Sequence, residues 1–310
     1  MKVLFYGTPE FALPTLEALL RHHQIVAIVT QPDRPAGRGQ KRTAPPVKVR
    51  AQQAGLPVLQ PERLRDSEWT ARLRAFVPEV AVVVAFGQLL PNAVLEIPKR
   101  GSINLHASLL PRYRGAGPIA WALIRGETET GLTTFLMDEG MDTGPILLQE
   151  RVQILPEETA GELAERLSRR GAQLLVKTLA ELERLSPIPQ PHAEATTAPR
   201  LRKEDGLLDW SQPARSVVNR IRGCNPWPGC VSGTPAGRLL IWRASYLAEP
   251  ATAPPGTLLQ SRGGALAIAA GEGLLLPREV QPENRRAMRW EEFLRGARLA
   301  AGVRFGGLAA

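Results

Sequence analysis

VAVVVA, residues 80–85, is a continuous run of valine and alanine. A short apolar run without polar alternation is typical of a strand buried on both faces of a parallel sheet. Apolar runs and amphipathic helical patterns alternate around it, the runs at residues 2–6, 25–30 and 102–106 and the helical patterns at 11–21, 47–54 and 66–76. This alternation predicts an α/β domain with a Rossmann-like, mostly parallel sheet and crossover helices.

The second half of the chain has a different pattern. A long amphipathic helix is predicted over residues 159–185, where Thr159 and Glu162 match a capping box. Residues 187–206 contain four prolines and few apolar residues, which is typical of an extended linker. Short strand-like runs between Gly/Pro turns follow, and they predict a small, OB-like β-barrel. We therefore predict a first domain over residues 1–186, a linker over 187–206 and a C-terminal barrel domain over 207–310.

The charge of the chain favours a polyanionic partner. Its net charge is +9 and its pI is near 10.2. Residues 31–50 hold six lysines and arginines against one aspartate, and residues 206–310 hold 13 arginines, no lysine and seven acidic residues. Such clusters are typical of surfaces that attract nucleic acid. A generally arginine-rich proteome is the alternative explanation for the same numbers.

Membrane and targeting segments are not indicated by the sequence. No apolar run approaches the roughly 18–20 residues of a membrane span, and MKVLFYGTPEF at the N-terminus has the pattern of a first strand entering a turn. We therefore expect a cytoplasmic protein with no membrane partner, and a monomer by default. Cys224 and Cys230 are too few for a thiolate zinc site, so we predict buried thiols, with a redox or bridging role as the alternative.

The stretch GSINLHASLLPRYRGAGPIAWALIRG, residues 101–126, contains the first candidate site residues. Side chains alternate between the faces of a strand, so Ile103 and Leu105 would face the core while Asn104 and His106 share the opposite face. Ligands bind outside the carboxyl ends of parallel strands, where this polar pair is predicted to lie. A structural role for His106 is the alternative, and the pattern alone does not decide between them.

A second candidate segment is FLMDEGMDTGPIL, residues 135–147, with two acids four positions apart. Asp138 or Asp142 could contribute a catalytic carboxylate, or both could cap a glycine-bounded turn. His, Cys and carboxylate residues do not have metal-ligand spacing here, so no metal is expected. A GxGxxG fingerprint and a P-loop are also missing, which leaves phosphate-cofactor chemistry unsupported.

These motifs resemble those of the folate-dependent formyltransferases, and in particular the family that acts on methionyl-tRNA. The resemblance extends over essentially the whole chain and is carried by FYGTPEFA, QPDRPAGRGQKRTAPPVK, VVVAFGQLLP, INLHASLLPRYRGAGPI, MDEGMDTG and CNPWPG. It implies a catalytic set of Asn104, His106 and Asp142, since the acid of the family directly precedes Thr-Gly. It also implies that Ser108, Leu109, Leu110 and Pro111 touch the folate.

The reaction implied by this resemblance is formyl transfer from 10-formyltetrahydrofolate to the α-amino group of methionine on initiator tRNA, which makes N-formylmethionyl-tRNA for translation initiation. Asn104 and His106 would stabilise the developing oxyanion, and Asp142 would orient His106 and help to accept the amine proton. For tRNA binding, the resemblance and the charge pattern indicate two groups of basic residues. They are Arg34, Arg38, Lys41 and Arg42 in a predicted polar loop between Gln31 and Pro46, and Arg200, Arg202 and Lys203 at the end of the linker.

Three other functions share parts of this pattern. A small-molecule amine formyltransferase would have the same first domain and the same three catalytic residues. A hydrolase that releases formate from 10-formyltetrahydrofolate would use water in the same site. A non-catalytic RNA-binding protein would keep the basic surfaces, although the intact catalytic set argues against it. The basic loop and the basic barrel favour a tRNA substrate over a small amine.

Overall fold

The structure, a computed structural model, describes residues 1–36 and 41–306. The strands of the first half are β1 (Lys2–Gly7), β2 (Gln24–Val29), β3 (Arg34–Ala36), β4 (Lys41–Thr43), β5 (Val58–Leu59), β6 (Val80–Val84), β7 (Ser102–His106), β8 (Glu129–Leu136) and β9 (Ile146–Gln153). The helices of this part are α1 (Leu13–His22), α2 (Pro46–Gln53), α3 (Ser67–Arg74), α4 (Asn92–Leu95), α5 (Pro118–Ile124) and α6 (Ala160–Glu181).

Seven of these strands form one sheet in the order β5-β2-β1-β6-β7-β8-β9. The strands from β5 to β7 pair in parallel, whereas β8 and β9 pair antiparallel at one edge. All five residues of β6 are buried, as its continuous apolar run predicts. The prediction of a Rossmann-like, mostly parallel sheet is therefore confirmed.

The remaining elements are α7 (Ala214–Gly223), β10 (Cys230–Thr234), β11 (Gly237–Leu247), β12 (Leu258–Gln260), β13 (Leu266–Ala269), β14 (Leu274–Pro282), β15 (Met288–Arg289) and α8 (Trp290–Ala297). The strands form an antiparallel sheet in the order β10-β11-β14-β13-β12, with β15 paired to β14. Gly306 exchanges two backbone hydrogen bonds with Gly233 in β10, and Val303 accepts one from Leu258 in β12. One C-terminal segment thus bonds to both edge strands, and the predicted barrel fold is confirmed.

The chain divides into two compact units. Unit 1 comprises Met1–Pro118, Glu129–Gln153 and Ala164–Pro199, and unit 2 comprises Ile119–Thr128, Ile154–Leu163 and Arg200–Ala310. The first part of the predicted linker, up to Pro199, therefore packs with unit 1. The boundaries at residues 186 and 206 stay predictions. Among the described helices, none combines the length and the apolar character that crossing a bilayer requires.

The predicted capping box at the start of α6 is present. The Thr159 backbone N–H donates to Glu162 Oε2 over 2.9 Å, and the Glu162 N–H donates to Thr159 Oγ1 over 3.4 Å. Arg243 donates to the other oxygen of the same carboxylate. The Arg243 guanidinium and the Thr159 backbone lower the pKa of Glu162 to about 2.

We expect Glu162→Gln to flatten the acid limb of the stability curve. A carboxylate whose pKa is lowered by folding stabilises the protein above its unfolded pKa, near 4.5, and this stabilisation is lost as the pH falls towards about 2. Both partners of the ion pair are over a third exposed, so we expect about 1 kcal/mol or less. Thermal unfolding between pH 6 and pH 2 measures it. An acid limb identical in wild type and variant would contradict this assignment.

Candidate active site

Asn104, His106 and Asp142 come from one strand and one adjacent loop of unit 1. In β7, Asn104 pairs with Val83 of β6, and His106 pairs with Thr133 of β8. Two positions apart in a strand, the Asn104 and His106 side chains share a face. The loop between β8 and β9 brings Asp142 Oδ2 to 3.6 Å from His106 Nδ1. The structure thus places the predicted histidine and aspartate next to each other, and their catalytic roles stay predictions.

The two ring nitrogens of His106 have different partners. Nε2 lies 2.9 Å from the carbonyl oxygen of Tyr113, which can only accept, so Nε2 carries a hydrogen in this contact. Nδ1 faces the Asp142 carboxylate at a distance longer than a normal hydrogen bond. The residue is 7% exposed. The ring is therefore anchored through Nε2, and its Nδ1 side is turned towards Asp142.

Tyr113 and Asp142 both have left-handed backbone conformations, with φ of 62° and 55°. Such a conformation costs a non-glycine residue about 1–2 kcal/mol and persists where neighbouring contacts enforce it. Here the Tyr113 N–H donates to Thr196 Oγ1 over 2.9 Å, and the Gly115 N–H donates to Asp142 Oδ2 over 2.7 Å. These contacts direct the Tyr113 carbonyl at His106 and fix the Asp142 carboxylate.

Asp138, the other acid of the loop, has a different environment. One of its oxygens accepts hydrogen bonds from the Gly140 N–H over 3.0 Å and from Thr143 Oγ1 over 2.6 Å. Both partners belong to the same loop, so this carboxylate caps the turn. The structure therefore separates the two acids, with Asp142 beside His106 and Asp138 within the loop.

The Asn104 amide is a candidate donor for a substrate. Asn104 is partly exposed, whereas its neighbours Ile103 and Leu105 are buried. Within residues 1–36 and 41–306, the amide makes no hydrogen bond to another residue. An amide that is held on a strand and is not used internally can donate an N–H to a developing negative charge.

Residues 108–111, predicted to touch the folate, form a mostly buried turn. The Ser108 side chain is fully buried and its hydroxyl donates to the Arg112 carbonyl over 2.6 Å. Leu110 is buried, and its carbonyl accepts from Gln149 Nε2 over 2.8 Å. Pro111 is buried as well, and Leu109 is half-buried. The Ser108 hydroxyl and the Leu110 carbonyl therefore bond to the protein itself. Contact between residues 108–111 and the folate stays a prediction.

The basic stretch predicted as a polar loop contains a short hairpin. In the paired strands β3 and β4, Arg34 lies opposite Thr43 and Pro35 lies opposite Arg42. Each strand has three residues, too few and too polar for an alternating apolar pattern, so sequence reasoning missed them. Arg34 and Arg42 are exposed, and Lys41 contributes its backbone to β4. Arg38 lies outside the described residues.

The base of the hairpin is held by half-buried polar contacts. Asp33 accepts hydrogen bonds from Lys48 Nζ at 2.7 and 2.8 Å and from Gln60 Nε2 at 2.8 Å. The Gln60 amide and the Lys48 ammonium hold the pKa of the Asp33 carboxyl below its usual value. Arg50 pairs with Glu17. Two of the cations in this stretch are therefore already paired, which leaves Arg34 and Arg42 as its described exposed charges.

The other predicted tRNA-binding residues lie in unit 2. Arg200, Arg202 and Lys203 are all exposed, and the Arg202 backbone N–H donates to Asp205 Oδ2 over 2.6 Å. Cys224 and Cys230 are buried free thiols. Over the described part of the chain, no group of three His, Cys, Asp or Glu side chains is arranged to hold a metal ion.

Comparison with known proteins decides the family. The formyl transferase family matches residues 1–179, and the formyl transferase C-terminal domain family matches residues 200–298. The methionyl-tRNA formyltransferase of Synechococcus sp. (strain JA-3-3Ab) is 51% identical, over 98% of this chain and 98% of its own. This chain belongs to the methionyl-tRNA formyltransferase family. The methionyl-tRNA formyltransferase of Deinococcus radiodurans is 48% identical, over 98% of this chain and 95% of its own length.

Solved structures share the formyltransferase fold at low identity. WlaRD, a sugar 3N-formyl transferase solved with dTDP and 5-N-formyl-THF, aligns with a TM-score of 0.66 at 17% identity over 92% of this chain and 99% of its own. HypX from Aquifex aeolicus, solved with tetrahydrofolic acid, aligns with a TM-score of 0.63 at 17% identity over 95% of this chain and 47% of its own. At 17% identity, these two matches show that the chain shares their fold, and they carry no information about its substrate.

Several residues that support the site had no signal in the sequence. Tyr113 and Gly115 lie inside a motif, but their contacts to His106 and Asp142 depend on the backbone path between them. Gln190 lies in a proline-rich segment whose composition predicts a spacer, yet its side chain reaches the Asp142 loop. Chain composition reports average polarity, and a single buried side chain in such a segment does not change it.

Proposed function

We propose that this protein transfers the formyl group of 10-formyltetrahydrofolate to the α-amino group of methionyl initiator tRNA, acting as a monomer in the cytoplasm. One observation carries this proposal, namely that His106 lies between the Tyr113 carbonyl and the Asp142 carboxylate, two positions along β7 from Asn104. The 51% identity to a methionyl-tRNA formyltransferase, over 98% of both chains, supports methionyl-tRNA as the acceptor of the formyl group.

The proposed chemistry is a direct attack by the amine. A bond forms between the amine nitrogen and the formyl carbon, the bond from that carbon to the folate nitrogen breaks, and negative charge develops transiently on the formyl oxygen. The Asn104 amide donates an N–H to that oxygen. His106, protonated on both ring nitrogens, donates from Nδ1, because the Nε2 hydrogen is bonded to Tyr113. Preorganised donors of this kind are worth about 3–4 kcal/mol each in the transition state.

Asp142 supports the proton transfers. The attacking amine loses a proton as the new bond forms, and the folate nitrogen gains one as it leaves. An α-amino group has a pKa of about 7.7–8.0, so a neutral fraction is available near pH 7. The Asp142 carboxylate faces His106 Nδ1, accepts the amine proton directly or through one water, and returns a proton to the departing folate nitrogen by the same route.

The proposal is tested by following formyl transfer from 10-formyltetrahydrofolate with three acceptors, which are charged initiator tRNA, uncharged tRNA and a small amine. We expect formylmethionyl-tRNA only with the charged tRNA, and none from a His106→Ala protein. Release of formate without acceptor would instead indicate a hydrolase. Equal rates with the small amine would indicate a small-molecule formyltransferase, and binding of tRNA without transfer would indicate an RNA-binding protein.

The exposed cations of the hairpin provide a prediction about tRNA. We expect the double variant Arg34→Ala/Arg42→Ala to raise KM for charged tRNA and leave KM for the folate unchanged. The reason is that these arginines would bind phosphates of the tRNA backbone and not the folate. A plot of log affinity for tRNA against log salt concentration has a negative slope. In the variant this slope should become shallower by roughly 1.4–1.8, at about 0.7–0.9 for each of two lost phosphate contacts. Filter binding at several salt concentrations measures this slope.

The matched control removes the same charge from exposed arginines outside the hairpin, also in unit 1. Arg65 and Arg74 are exposed, and Arg74 lies at the end of α3. The double variant Arg65→Ala/Arg74→Ala should keep the wild-type salt slope. Equal slopes in the hairpin and control variants would reject the hairpin as a tRNA contact.

A further inference from the structure

Gln190, in the segment predicted as a linker, is 5% exposed and makes four hydrogen bonds near the active site. Its Nε2 donates to the Asp142 carbonyl over 2.9 Å and to the Gly144 carbonyl over 2.7 Å. Its Oε1 accepts from Arg114 Nε over 3.1 Å and from Arg114 Nη2 over 2.7 Å. Carbonyls only accept and guanidinium only donates, so this network defines the orientation of the Gln190 amide.

Arg114 connects this network to the other side of the site. Its backbone N–H donates to the Thr196 carbonyl over 2.8 Å, and its carbonyl accepts from the Ala198 N–H over 2.7 Å. It directly follows Tyr113, whose carbonyl is the partner of His106 Nε2. The segment 190–198 therefore contacts both the residue that orients His106 and the loop that carries Asp142, and all of these residues lie in unit 1.

We propose that Gln190 is a positioning residue for the Asp142 carboxylate, and that the segment 190–198 supports the active site. This inference rests on the proposed function, because it requires Asp142 to take part in formyl transfer. Asp142 has a left-handed backbone, and the two carbonyls bonded by Gln190 flank the turn that follows it. Without the Gln190 donor these carbonyls lack their partner, and the turn relaxes towards other conformations that move the carboxylate away from His106 Nδ1.

The decisive variant is Gln190→Glu. A glutamate has the same shape and still pairs with Arg114, but it presents an oxygen to the carbonyls of Asp142 and Gly144. We expect kcat to fall by roughly 100-fold, the effect of a displacement of about 1 Å in a catalytic group, while KM for the folate and for charged tRNA stays near wild type. If Gln190 only anchors the segment through Arg114, Gln190→Glu keeps its kcat, and the inference is wrong.

A second readout separates positioning from a general loss of structure. In an Asp142→Asn background, Gln190→Glu should cause little further loss of kcat, because its effect acts through the carboxylate that is already gone. An equal loss in both backgrounds would overturn the inference. Glu194→Ala is the matched control, since Glu194 is exposed in the same segment, and it should keep wild-type kcat and KM.

Folding of each variant is followed by its cooperative thermal transition. If Gln190→Glu does not fold, Arg114→Lys tests the same network, because lysine keeps the charge but cannot reproduce the two guanidinium bonds to Gln190 Oε1. We then expect a lower kcat with unchanged KM, and an unchanged kcat would overturn the inference. A wild-type protein that does not formylate charged initiator tRNA would contradict the proposed function itself, which is a different outcome from any of these.

Discussion

Replacing Asp142 with asparagine should lower kcat by about 10²–10⁴-fold, the usual contribution of a positioned acid or base. Asparagine has nearly the same shape, tolerates the left-handed backbone at φ 55° and can still accept the Gly115 N–H. The variant therefore removes only the negative charge that lies 3.6 Å from His106 Nδ1. Single-turnover transfer of the formyl group to charged tRNA measures the chemical step.

Asp138→Asn is the matched control for this experiment. It removes the same charge four positions earlier in the same loop, where the carboxylate accepts hydrogen bonds from Gly140 and Thr143. Its loss should cost about 1 kcal/mol of stability per weakened hydrogen bond and have a far smaller effect on kcat. If the two asparagine variants turn over at the same rate, Asp142 has no special role in catalysis.

Gly115→Ala should disrupt the site through the backbone. Gly115 has φ of 117°, and a Cβ there would lie 2.7 Å from the Ala198 carbonyl oxygen. The substitution therefore adds a clash to backbone strain and displaces the N–H that holds Asp142 Oδ2. We expect a loss of about 2–4 kcal/mol in unfolding free energy and a lower kcat at temperatures where the protein is still folded. Chemical denaturation and single-turnover kinetics measure the two effects.

Gly237→Ala separates strain from contact. Gly237 has φ of 101°, and a Cβ there would have no atom of the described residues within 4 Å, so alanine at this position meets backbone strain alone. We expect a loss of about 1 kcal/mol or somewhat more and an unchanged kcat. Equal destabilisation by the two alanine variants would mean that the approach of Ala198 to Gly115 is not a close contact in solution.

The sheet of unit 1 could be predicted from the sequence because its central strands are buried on both faces. Val80–Val84 is apolar throughout, and a run of this kind has few alternatives to a central parallel strand. The capping box at Thr159 and Glu162 was accessible for a similar reason, since the two residues act on each other locally. By contrast, the β3–β4 hairpin is too short and polar for any periodic signal, and only backbone pairing defines it.

The candidate site was partly accessible. Strand alternation places Asn104 and His106 on one face, but it left a structural histidine equally possible, and the choice of Asp142 over Asp138 came from the motif of a known family. The geometry now provides a physical difference between the acids, since one carboxylate faces His106 and the other caps its own loop.

Local periodicity and motifs contiguous in the chain were enough to predict the buried strands of the sheet, the capping box and the family. The partners of the two His106 nitrogens, Tyr113 at Nε2 and Asp142 at Nδ1, became visible in the three-dimensional contacts alone. The tertiary structure also decided that a proline-rich segment reaches the site, because Gln190 contacts Asp142 across 48 positions of sequence. Contacts between distant segments depend on how the sheet brings its strand ends together, and no local pattern encodes that distance.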